Sequence, residues 1–177
     1  MSDRFTPLNR DDLDESQRAV YDAIQAGPRG SVPWIFHLYL QSPDLAAAVQ
    51  QLGAFCRYRT GLAGRLSELA ILVVAKHWSA EYEWSVHEGE ARKAGLPDCV
   101  IAAIAAGTPP DFGSDSEAAL VYDFTSEYLA ANEVSDPLFA RAVDTFGRRT
   151  VVELAGIIGY YSMLAMAIRI FRLPPAR

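Results

Sequence analysis

Residues 66–78 read Leu-Ser-Glu-Leu-Ala-Ile-Leu-Val-Val-Ala-Lys-His-Trp, apolar on nearly every side of a helix. A helix without a wet face is stable only when other elements enclose it, so the rest of the chain must wrap it. The flanking sequence is punctuated as helices. Residues 11–26 place Leu13, Val20, Tyr21 and Ile24 at helical spacing before Gly27-Pro28, a helix stop. A short apolar turn or helix is expected over 34–40. Ser42-Pro43 then reads as an N-cap with proline at the first helical position, opening a helix to about residue 58.

After the central helix, Ser79 is placed to cap a helix over 80–94, ended by Gly95. Pro97 opens a short one reaching about 106. Ser114 and Glu117 match a capping box for a helix through 131. Ser135-Asp136-Pro137 opens another, stopped by Gly147, and a last helix is expected over 150–172, ahead of Pro174-Pro175. No run alternates valine, isoleucine and threonine as a strand does, and no Asn-Gly or Asp-Gly hairpin turn occurs. The expected class is all-α: a multi-helix bundle forming one domain over 1–177, because every loop is short. Glu68-Leu69-Ala70 and Glu153-Leu154-Ala155 each open a strongly apolar helix, the pattern of an internal helical repeat.

A hydrophobic fraction of 50% excludes a disordered chain. A net charge of −6 opposes a nucleic-acid partner, whose affinity comes from clustered Lys and Arg. Residues 1–10 are polar and lack the apolar core of a secretion signal. Residues 151–171 have the length of a membrane span but contain Glu153 and Arg169, each costing about 2.5–3.5 kcal/mol in hydrocarbon. A helix buried in a cytoplasmic assembly, without membrane contact, is the expectation. Cys56 and Cys99 lie in no local motif and are expected to behave as small buried hydrophobes in a reducing compartment.

Chemistry therefore rests on carboxylates and histidines. The densest polar cluster is His77-Trp78-Ser79-Ala80-Glu81-Tyr82-Glu83-Trp84-Ser85-Val86-His87-Glu88. Glu83 and His87, four apart, share one helix face, where a carboxylate can orient an imidazole and raise its basicity. The same spacing suits a surface ion pair. Glu68, set among Leu69, Ile71 and Leu72, faces burial; Arg65 is near enough in sequence to neutralise it. No metal is expected, since His77, His87, Glu81, Glu83 and Glu88 show neither a His-Glu-x-x-His nor a cysteine spacing. No nucleophile elbow is present, and His37 among Phe36, Leu38 and Tyr39 reads as a packed residue.

Residues 65–72, then Glu81-Tyr82-Glu83-Trp84 with His87, Ala91 and Gly95, resemble the carboxymuconolactone decarboxylase family, within the superfamily of alkyl hydroperoxidase D proteins. Further segments around Ser42-Pro43, 117–124, 135–139 and Gly159-Tyr160-Tyr161 extend the resemblance over most of the chain. It implies a helical bundle assembled as homotrimers or homohexamers. The hydroperoxidase branch carries Cys-x-x-Cys-x-x-x-His after a helix bearing a glutamate. Those positions fall here on Ala80, Glu83 and His87, with the glutamate at Glu68. Acid and histidine match; both thiols are missing, and with them the peroxide-reducing centre.

The decarboxylase branch needs no thiol or cofactor. The resemblance implies acid–base chemistry, decarboxylation or isomerisation, on a small carboxylate or lactone. Glu68, Glu83 and His87 fall at the catalytic positions, and Arg57, Arg65, Tyr82 and Trp84 are the candidates to bind substrate. A peroxidase using Cys56 or Cys99, and a helical oligomer without catalysis, are the alternatives.

Overall fold

The computed structural model describes residues 4–175; the ends of the polar N-terminal stretch and of the expected 1–177 domain, residues 1–3 and 176–177, lie outside the described residues. Among these residues there are eight α-helices and no strand, so the all-α expectation is met. They are α1 (Glu15–Ala26), α2 (Trp34–Tyr39), α3 (Pro43–Tyr58), α4 (Gly64–His77), α5 (Glu81–Lys93), α6 (Asp98–Ala106), α7 (Ser116–Ala131) and α8 (Asp136–Phe171). Every residue of α4 from Leu66 to Ala75 is buried, and α5, α7 and α8 are its main neighbours. A helix apolar all round has found walls on all sides.

Several ends differ from the sequence reading by a residue or more. A 3-10 turn, Arg10–Asp12, precedes α1, which starts behind a reciprocal capping box of Asp14 and Gln17. Ser79 does not cap α5: it turns through φ 51°, and Ala80 occupies the N-cap without a side-chain bond. The α7 cap is Asp115, whose carboxylate accepts the Ala118 N–H at 3.0 Å, rather than Ser114. Capping motifs are short and overlap here, so which side chain captures the free N–H groups depends on the direction of entry into the helix.

The two expected C-terminal helices form one element broken at Gly147, where φ 79° and ψ 152° are non-helical. That region is open almost only to glycine. Gly147→Ala is expected to cost about 1–3 kcal/mol in urea unfolding without disturbing the site. The limb beyond the break is long and apolar enough to cross a membrane by length and composition, yet more than half of its apolar window is buried in the structure. Its Glu153, the echo of Glu68, accepts the Gly61 N–H at 2.6 Å and the Arg149 Nε–H at 2.9 Å. It thereby ties the turn before α4 to α8.

Candidate active site

Glu68 projects from the first turns of α4, and Glu83 and His87 from one face of α5. The α4–α5 packing brings all three together. His87 Nδ1 lies 2.7 Å from Glu68 Oε2, and its Nε2 lies 3.3 Å from Glu83 Oε2. His87 and Glu83 are only 2% and 3% exposed, so the i,i+4 pair is no solvated surface bridge. Glu83 also stands in the first turn of α5, where helix-end N–H groups favour an anion. The imidazole meets Tyr161 edge-on at 5.0 Å, and Tyr161 meets Tyr160 likewise at 5.1 Å.

Burial alone would strip His87 of its proton, but hydrogen bonds and charge from Glu68 and Glu83 outweigh it and raise its pKa above the ordinary value. A carboxyl group at each ring nitrogen thus favours the protonated imidazole over the neutral one. Around it the phenols are held protonated. Burial, then the charge of Glu83, pushes Tyr39 up to about 12 and Tyr82 up to about 12. Tyr160 and Tyr161 are raised further, burial again leading. The site thus offers one proton relay and several O–H donors in a water-poor setting.

Glu83, His87, Tyr82, Tyr160, Tyr161 and Arg57 share a cavity of about 30 Å3, room for little more than a water or two. Arg57 stands 3.6 Å from Glu90 and over the Tyr58 ring, keeping its charge on the cavity wall. The Tyr82 hydroxyl engages the backbone of Ile35 and Trp34 and so ties α5 to α2. Arg65 is elsewhere: its guanidinium pairs with Asp115 at 3.3 Å and Glu117 at 3.0 Å, joining α4 to α7. Glu68 is neutralised by His87, not by Arg65. Trp84 lines a different cavity, of about 320 Å3, with Lys76, Ser79 and Ala80.

Sequence reasoning missed Arg29, from the α1–α2 loop, which lines the small cavity too; an isolated arginine after Gly-Pro carries no signal. Tyr160 and Tyr161 entered only as part of the resemblance, and Tyr39 only as a neighbour of His37. His37 Nδ1 lies 3.0 Å from the Leu8 carbonyl, a packing role. Both cysteines are free: Cys56 is buried on α3 as expected, but Cys99, expected to be buried, is exposed on α6. Burial pushes the Cys56 thiol up to about 11.

Residues 43–122 match the family model described as carboxymuconolactone decarboxylase family. No curated protein matches the chain. Among solved structures, an uncharacterized peroxidase-related protein from Silicibacter sp. TM1040 is similar at 16% identity and TM-score 0.75, over 97% of this chain and 92% of that one. A debrominase in complex with 2,3,4-tribromopyrrole is similar at 18% identity and TM-score 0.75, over 97% and 90%. At such identities these two likenesses speak for the fold alone. The stretch similar to the carboxymuconolactone decarboxylase family, residues 43–122, includes the whole Glu68–His87–Glu83 centre, with Ala80 and Glu83 at the positions where the hydroperoxidase branch carries its cysteines.

Proposed function

We propose that the protein is a cofactor-free acid–base enzyme acting on a small carboxylated, enolisable or lactone-like metabolite. The observation that carries this is the buried imidazole with a carboxylate at each ring nitrogen, one of which, Glu83, lines a cavity. Glu83 is the group that touches substrate; His87 and Glu68 stand behind it as a relay. In an isomerisation, Glu83 takes a proton from a carbon beside a carbonyl, leaving the C–H electron pair in a dienolate, and returns it at another carbon. In a decarboxylation, the C–CO2 bond breaks, its electron pair enters the same dienolate, and the relay delivers the proton that forms the new C–H bond. Both are redox-neutral, and the protonated phenols supply hydrogen bonds to the enolate oxygen.

The test is incubation with a panel of unsaturated keto acids and carboxylated lactones in D2O, followed by NMR. Deuterium uptake at carbon, or turnover, is expected for at least one substrate class; a panel wholly inert with folded protein would overturn the reading. Dithiol-dependent peroxide turnover is expected to be absent. Ala80 and Glu83 offer no sulfur at the start of α5, and Cys56 is a buried, high-pKa thiol. Robust turnover that disappears in a Cys56→Ala, Cys99→Ala double variant would contradict this.

Homotrimeric or homohexameric assembly is a proposal of the same kind, supported by the resemblance and by one face of α8. There Val152, Met166 and Ile170 are exposed beside Ala155, Gly156 and Gly159, an apolar stripe at helical spacing. Light scattering is expected to return a multiple of the 19.4 kDa chain mass; a stable monomer at micromolar concentration would sink the idea.

A further inference from the structure

Arg29 has the geometry of a group waiting for an anion. The loop between α1 and α2 carries it, and it lines the same cavity as Glu83 and His87. Its guanidinium lies over the Phe36 ring, 5.3 Å from the centroid, which fixes the plane of the fork. The other side approaches α3 at Gly53, where a Cβ would stand 2.7 Å from Arg29 Nη2 and 2.1 Å from the Tyr160 hydroxyl oxygen. Only the missing side chain at Gly53 lets the guanidinium and that phenol reach so deep. Yet Arg29 Nε is buried with no hydrogen-bond partner. Arg57 has Glu90; among the described residues no carboxylate pairs with Arg29.

Charge gives the same indication. Glu68 and Glu83 are the carboxylates at the centre and His87 bridges them, while the guanidiniums of Arg57 and Arg29 line the cavity. Glu90, beside Arg57, is itself held by Lys93 at 2.7 Å. Of the two guanidiniums that line the cavity, Arg57 has Glu90, and Arg29 is the one that no carboxylate pairs with among the described residues. Arg29 and Glu83 face the same small cavity of about 30 Å3.

Resting on the acid–base reading above, we propose that Arg29 binds the single carboxylate of the substrate, and that this carboxylate is retained through the reaction. A guanidinium clamped on a carboxylate stabilises it as an anion and opposes its departure as neutral CO2. A second, leaving carboxylate would meet the other guanidinium of the cavity, Arg57, already paired with Glu90. Isomerisation of a monoanionic, enolisable carboxylate is therefore selected over decarboxylation, with Glu83 moving the proton and Arg29 holding the far end.

The experiment is titration of the full chain with acetate, propionate and malonate against chloride at equal ionic strength, by calorimetry and thermal unfolding. Wild type is expected to show saturable acetate binding, weakened at least tenfold in Arg29→Gln and less in Arg29→Lys, which keeps the charge and loses the fork. Arg141→Gln, an equal charge change on the exposed surface of α8, is expected to match wild type. Malonate is expected to bind at least tenfold more weakly than propionate. Equal acetate affinity in wild type and Arg29→Gln, or no saturable acetate binding to wild type, overturns the anchor. Malonate binding as tightly as propionate overturns the single retained carboxylate. Should Arg29→Gln fail to fold, Arg29→Lys decides by the same comparison. Acetate binding through Arg29 in a protein that exchanges no substrate proton would count against the acid–base reading and leave the anchor standing.

Discussion

Replacing His87 with leucine is expected to destabilise the protein by about 3–5 kcal/mol in urea unfolding at neutral pH. Leucine fills much of the imidazole's volume, so the loss is electrostatic rather than a cavity effect. His87 is the cation at 2.7 Å and 3.3 Å from two carboxylates that α4 and α5 bury against each other. Without it Glu68 and Glu83 face one another in a medium that solvates neither. The pH dependence separates this from a packing defect. His87 has a folded-state pKa raised above its unfolded value. The stability it contributes is therefore complete below about pH 6.5 and is lost as the pH rises through the folded-state value. The gap between wild type and His87→Leu should accordingly narrow on the alkaline side. A gap that stays constant from acid to alkaline pH would mean that His87 acts as packing alone.

Glu83→Gln is expected to lower proton transfer about 10²–10⁴-fold while leaving the fold intact. The amide keeps the shape of the side chain on α5 and its place beside His87, but it cannot accept and return a proton. A second readout needs no substrate. The charge of Glu83 contributes, after burial, to holding Tyr39 and Tyr82 up to about 12. In an ultraviolet titration of the phenols, Glu83→Gln should move these ionisations downward while burial keeps them above the ordinary tyrosine value. Unchanged phenol titration would place the Glu83 charge away from the cavity. Full exchange activity in the variant would assign the proton to another group.

The sequence by itself determined the helical class and the polar pair on α5. Each helix carries its own punctuation, such as Ser42-Pro43 before α3 and the Gly147 break within α8, and these signals act over a few residues wherever the segment sits. Glu83 and His87 share a face because a helix repeats every 3.6 residues, a local rule. Glu68, the partner of that face, was legible only through a family spacing, since it lies 19 positions from His87 with a turn between them.

Tertiary structure decided the rest. Trp84 is about 100° around the helix from Glu83, but only the packing of α5 shows that this turns it toward another cavity. Arg65 lies three residues from Glu68, yet α7 presents Asp115 and Glu117 to it first. Arg29 reaches the centre because a loop folds over α3 at a glycine, and no periodicity encodes that approach. Local hydrogen bonding and steric rules give helices their ends and faces; long-range burial decides which faces meet, and so which charges share one water-poor cavity.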